Sequence, residues 1–197
     1  MASTTAMKMT AEEFYEWANR PENDHALFEL EDGEPIEILS PGEAHALVCW
    51  FVITVLTKYV AGRGSGHVLT NDCGLIVRRK PDTVRGPDVI FFLENRALAQ
   101  ANKGHVERVP PLIVEVLSPT DRRGKTLRRI EQYLKRGVSL VWLVDPEELI
   151  VTVYRPNEFP KVLDETDELT GNGMLPDFSC KVSDFFALPG QAPTPAA

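Results

Sequence analysis

Two carboxylates stand where strand-forming segments would bury them. Glu115 lies in the middle of Leu112-Ile113-Val114-Glu115-Val116-Leu117, a nearly unbroken aliphatic run of the kind found in a central strand covered on both faces. Asp88 follows Pro87 and opens the apolar run Val89-Ile90-Phe91-Phe92. An ionised carboxylate taken out of water costs several kcal/mol unless it is paired, hydrogen-bonded or bound to a cation. Two of them on adjacent inner strands would repel each other, and a divalent cation relieves that repulsion. Oxygen ligands select Mg2+, Mn2+ or Ca2+ over zinc. A purely structural arrangement meets the same constraint, with Asp88 capping a turn and Glu115 ion-paired to an arginine such as Arg129. Spacing alone leaves both open.

The segment after Glu115 bears on the choice. Arg122, Arg123, Lys125, Arg128, Arg129, Lys135 and Arg136 place seven of the chain's 21 basic residues in 15 positions, against the single acid Glu131. On a helix, Leu127, Ile130 and Leu134 would form the buried stripe. Arg122, Lys125, Arg129 and Arg136 then gather on a different face. Such a run is usually a solvated face; directly after a carboxylate-bearing strand it could bring cations to a phosphate.

The elements that must position these residues are legible from pattern. Thr10 with Glu13 has the form of a capping box for a short helix whose Phe14 and Trp17 share a face. Residues 26–39 alternate about Asp32-Gly33 as a hairpin. A helix is expected from Glu43 to about Ala61, closed by Gly62. Strands are expected at His67–Thr70, Cys73–Arg79, Val89–Leu93 and Leu112–Leu117. A helix follows from Asp121 to Arg136, stopped by Gly137, and then strands at Val138–Val144 and Ile150–Tyr154 about the turn Asp145-Pro146. This order points to an α/β or α+β domain with a mixed sheet flanked by helices. The expected organisation is a flexible stretch 1–8, one domain over 9–186, and a disordered Pro/Ala tail over 187–197.

Composition limits the function classes. The chain has 197 residues, 43% of them hydrophobic and 25% charged, as in one globular domain able to fold without disulfides or structural metal. Its 21 basic and 29 acidic residues give a net charge of −8, which argues against a coat of nucleic acid or a basic membrane binder but not against a local basic groove. The three cysteines, Cys49, Cys73 and Cys180, are odd in number and form no CxxC pair, so they read as buried thiols in a reducing cytosol. The N-terminus lacks the apolar core of a secretory signal, and the apolar run 46–56 is shorter than a membrane span, so a cytoplasmic protein is expected.

The segments FELEDGEPIEILSPGEAH, GPDVIFF, PPLIVEVLSPTDRR, and EQYLKRGVSLVWLVDP followed by VTVYRP resemble the bacterial Uma-two family, grouped with restriction endonucleases in the PD-(D/E)xK nuclease superfamily. The resemblance covers roughly residues 9–186. It implies a restriction-endonuclease-like core and Mg2+- or Mn2+-dependent hydrolysis of phosphodiester bonds in nucleic acid, with DNA the expected substrate. It makes Asp88 and Glu115 the metal-binding acids and Glu29 an upstream acid of the same cluster, and it matches His45 to a histidine heading the long helix. The superfamily lysine, two residues after Glu115, is Leu117 here. The position four residues before Tyr133, where the family's lysine has moved, is Arg129. Arginine can hold a phosphate but stays protonated and cannot act as a base. Lys125, one turn earlier, is the substitute.

The resulting expectation is a metal-dependent endonuclease. Asp88, Glu115, Glu29 and the Val116 carbonyl would hold Mg2+ or Mn2+, Arg129 and Lys125 the scissile phosphate, and His45 a water or the substrate backbone. The alternative is a catalytically impaired nuclease-fold module that binds nucleic acid or protein. A carboxylate-pair hydrolase acting on sugars is weaker, since no tryptophan lies beside the acids. Cutting both strands of a duplex asks for a homodimer, with Ile150–Tyr154 as the expected interface edge.

Overall fold

The computed structural model describes residues 8–119, 121–187 and 191. In chain order its elements are α1 (Ala11–Ala18), β1 (Leu27–Glu31), β2 (Glu34–Ile38), α2 (Glu43–Arg63), β3 (His67–Leu69), β4 (Leu75–Arg78), β5 (Thr83–Arg85), β6 (Val89–Phe92), β7 (Leu112–Val116), α3 (Arg123–Arg136), β8 (Leu140–Asp145), β9 (Ile150–Tyr154), β10 (Lys161–Leu163), β11 (Glu168–Thr170) and β12 (Ser179–Lys181). Residues 1–7 and nearly all of the Pro/Ala tail lie outside the described residues.

A six-stranded mixed sheet, β10-β9-β8-β7-β6-β3, forms the centre. Only β7 and β8 run parallel, because α3 connects them as a crossover; the other neighbours are antiparallel. All five residues of β7 are buried. One face of the sheet packs Val89, Phe91, Leu112, Val114 and Trp142 against Val48, Val52 and Leu56 of α2. The other face packs Ile90, Ile113 and Val141 against Ile130 and Tyr133 of α3. The alternation along β7 therefore puts Glu115 on the α3 side.

A second sheet, β2-β1-β5-β4, carries α1 through Ala11, Phe14, Leu30, Ile76 and Val84. The Thr10 hydroxyl accepts from the Glu13 amide at 3.2 Å, and the Glu13 carboxylate accepts from the Thr10 amide at 2.8 Å, closing the capping box. Asp32 and Gly33 both have positive φ, 55° and 81°, so the β1–β2 hairpin turns where the dipeptide predicts. Residues 86–88 pass from β5 in the second sheet to β6 in the first. Asp88 therefore sits at the seam between the sheets.

Four expectations are corrected. α2 runs two residues past Ala61 and ends on Gly64 (φ 74°) rather than Gly62, because only Gly64 adopts the left-handed conformation that stops a helix. The buried stripe of α3 is Thr126, Ile130 and Tyr133, while Leu127 is 50% exposed. Residues 150–154 are no edge, since β10 pairs with β9 on its outer side. The cysteines are free but only half-buried. In addition, α2 extends the 11-residue apolar run into a 21-residue helix that is long and apolar enough to cross a membrane; here one of its faces is buried against the sheet.

Candidate functional site

Strand register brings the two acids together. Val89 pairs with Val114 across β6 and β7, so Asp88, the residue before β6, comes next to the Glu115 end of β7, close enough for its charge to act on Glu115. Asp88 is fixed there by the Val116 amide, which donates to Oδ2 at 2.7 Å. Its Oδ1 lies 3.1 Å from His45 Nε2, carried in by the first turn of α2. Glu115 is 7% exposed, and its Oε1 accepts from the Tyr133 hydroxyl and lies 3.7 Å from Arg129 Nε. Among the described residues nothing donates to Oε2.

The seam brings Glu29 and Arg129 to the same place. Register between β1 and β5 sets Glu29 beside Arg85. Glu29 Oε2 accepts from Arg85 at 2.9 Å, and Oε1 accepts from the Gly86 amide at 2.8 Å and from Arg129 Nη2 at 2.6 Å. Arg129 also donates to the Gly86 carbonyl at 3.2 Å. It thus spans Glu29 and Glu115, two acids of different sheets. Its buried Nε has no hydrogen-bond partner among the described residues. Each nitrogen of Arg85 is engaged, by Glu29, Glu31 and Gln132.

The other candidates are placed as follows. Lys125 is exposed and reaches none of the acids. Leu117 donates its amide to the Val144 carbonyl at the end of β7. Of the seven cations of the α3 segment, Arg128 pairs with Glu31, Lys135 pairs with Glu131, and Arg136 holds the Ile76 and Glu107 carbonyls. Arg122, Arg123 and Lys125, at the start of the helix, have no side-chain partner among the described residues. The two readings of Glu115 left open by spacing are therefore both present in part, as an arginine lies beside a carboxylate that also neighbours Asp88.

Three contributors were not read from the sequence. Asp72, half-buried at φ 51°, packs so closely on Gly86 that a Cβ there would meet Asp72 backbone oxygen at 3.0 Å. Nothing in Asn71-Asp72 distinguishes it from an ordinary turn. Cys49 Sγ lies 3.6 Å from His45 Nδ1, and the i, i+4 spacing of the two was the available signal. One donor atom from each of His45, Cys49 and Asp88 lies within 4.8 Å of the others. Arg85 is the third.

Electrostatics follow from crowding. Burial first, then Asp88 and Glu29, push the Glu115 carboxyl up to about 8 against the opposing pull of Arg129 and Tyr133. Burial also raises Asp72, helped by Asp88. For His45, burial works downward, but the Asp88 carboxylate outweighs it and the imidazole is raised. Burial and the nearby acids raise the Cys49 thiol, so it is not an activated nucleophile. Arg129 stays charged because Glu115, Tyr133 and Glu29 overcome its desolvation. The pocket thus crowds carboxylates together, and the donor cluster at Asp88 joins its oxygen to the His45 nitrogen and the Cys49 sulfur. That chemistry fits a divalent cation.

The family model described as "Uma2: Putative restriction endonuclease" matches residues 11–183. The chain belongs to the Uma2 family. The fold is shared with a solved structure, a crystal structure described as a putative nuclease belonging to DUF820 from Anabaena variabilis ATCC 29413. The two superpose with a TM-score of 0.74 at 22% identity, over 90% of this chain and 97% of that one. A search of curated proteins gives no match. Family and fold together support a nuclease-like function.

Proposed function

We propose that this Uma2 protein is a metal-dependent endonuclease that hydrolyses phosphodiester bonds of DNA, with Mg2+ or Mn2+ as its cation. The observation that carries the reading is the placing of Asp88 next to Glu115 across two inner strands, with an arginine anchored beside them. Asp88 and Glu115, with the Val116 carbonyl, would hold the ion. The chemistry a divalent cation supplies in such a site is activation of a water and neutralisation of charge building on phosphate oxygens.

The chain's own groups then divide the remaining work. Both Glu29 oxygens are engaged by arginines and an amide, so Glu29 acts by aiming Arg129 rather than by ligating directly. Arg129, whose side chain is 25% exposed, holds the scissile phosphate through the open part of its guanidinium. His45, oriented by Asp88, positions a water or the substrate backbone. Arg122, Arg123 and Lys125 meet flanking phosphates, and a duplex cut on both strands calls for two copies of the chain.

A specific observation supports a second reading, a nuclease-fold module that binds without cutting: Lys125 is exposed, and among the described residues no lysine pairs with the acids. Incubating the protein and Glu115→Gln with plasmid and Mn2+ separates the two. Cleavage by the wild type that is abolished in the variant supports hydrolysis at this site. Cleavage that persists in the variant discards the site, and DNA binding without cleavage that persists in chelator favours the module.

A further inference from the structure

α2 has two faces with different jobs. His45, Cys49, Val52 and Leu56 point toward the sheet and the acids. On the opposite side, Glu43, Leu47, Trp50, Thr54 and Lys58 recur at spacings of four and three, which aligns them in one stripe. Leu47 is 49% exposed and Trp50 50%. Beside the stripe, Trp50, Phe51, Thr54 and Phe178 line a groove of about 370 Å3. Exposed large apolar side chains beside such a groove are the kind of surface that partners cover.

Charge identifies the occupant. The stripe carries only two charges, one at each end, Glu43 and Lys58, about 22 Å apart along the axis at 1.5 Å per residue. Neither side chain has a partner among the described residues. If a second α2 is laid antiparallel across the first about a two-fold axis near Trp50 and Phe51, Glu43 of each copy meets Lys58 of the other. Leu47 then meets Thr54, and each Trp50 falls on the groove of its counterpart. An isologous interface requires this self-complementarity, which a stripe with one sign of charge could not provide. The edges of the central sheet are poor rivals: β10 and β3 are three residues each, and β10 is preceded by Pro160 and begun by Lys161, features that protect an edge.

We infer that the exposed face of α2 is the contact surface for a second copy of this chain, packed antiparallel on its own α2. The inference does not rest on the hydrolytic reading, and its test needs no activity. Because His45 sits on the reverse of the same helix, such a pair would link the two acidic sites through one rigid element.

The test is sedimentation of the full chain at micromolar concentration, with melting followed by circular dichroism to confirm folding. The expected result is a species of about twice the 22.0 kDa protomer mass. Leu47→Glu should weaken association at least tenfold while the fold persists, since Leu47 is half exposed. Glu43→Lys and Lys58→Glu should each weaken association several-fold, and the double variant should restore it, because only an antiparallel pair re-matches both charges. A monomer at every concentration would overturn the inference, as would a dimer indifferent to Leu47→Glu or a double variant no better than the singles. A monomer that sediments with vesicles of neutral lipid, and loses this with Leu47→Glu, would assign the face to a membrane surface instead.

Discussion

Replacing Glu115 with glutamine keeps the side chain's shape while removing the charge that burial and Asp88 disfavour. In the unfolded chain this carboxyl titrates near 4.5; in the folded chain it is pushed up to about 8. Between those values the folded state binds more protons than the unfolded one. The contribution to stability is therefore complete below pH 4.5 and is lost as pH rises through about 8. At 1.36 kcal/mol per unit, the loss is on the order of 3–5 kcal/mol in chelator. For a domain of this size that corresponds to a fall in Tm of roughly 10 °C. Denaturation in urea from pH 5 to 8.5 with EDTA measures it. Wild type should lose stability as pH rises, and Glu115→Gln should lose markedly less. Saturating Mn2+ should flatten the wild-type slope. Parallel pH curves for wild type and variant in EDTA would refute the reasoning, since Glu115 would then carry no unusual proton.

Other perturbations reach neighbouring parts of the site. Arg129→Ala leaves Glu29 and Glu115 without their shared cation and should cost about 3–5 kcal/mol by urea denaturation, more than Lys125→Ala, which should stay within about 0.5 kcal/mol. The His45 imidazole should titrate above its usual 6.5 in wild type and lower in Asp88→Asn, where burial is opposed only by the charges of Asp121 and Asp72; NMR of the ring protons reads this directly. Mn2+ at about 100 times its Kd should stabilise the wild type by about 2.7 kcal/mol, and calorimetry should show no such shift for Asp88→Asn. Tyr133→Phe removes the hydroxyl donated to Glu115 and should cost about 1–3 kcal/mol, with the Glu115 carboxyl moving further up.

The sequence revealed the parts of this site that lie on strongly patterned segments. A glutamate within an aliphatic strand and an aspartate at the head of another were visible as anomalies, and antiparallel register then made them neighbours. The hairpin turn, the capping box and the crossover helix were legible because each uses a local signal of known geometry. What local signals could not reveal was long-range pairing. Arg129 and Glu29 are 100 positions apart and meet only because β5 hands the chain from one sheet to the other. Leu127 fits the helical period as well as Thr126 does, and tertiary packing chose Thr126. Of the three-residue strands, β3 was anticipated, while β5, β10, β11 and β12 offered no alternation long enough to read. Asp72 joins the pocket through a left-handed turn packed on Gly86, a contact invisible in a linear reading.

The central claim is that Asp88 and Glu115 share one divalent cation. Anomalous diffraction from crystals soaked in Mn2+ tests it with the fewest intermediate assumptions. The account predicts a single strong peak bonded to a carboxylate oxygen of each residue at about 2.0–2.6 Å, with Arg129 turned away from Glu115. A soak that leaves this position without density, with Arg129 still closed on Glu115, would contradict it.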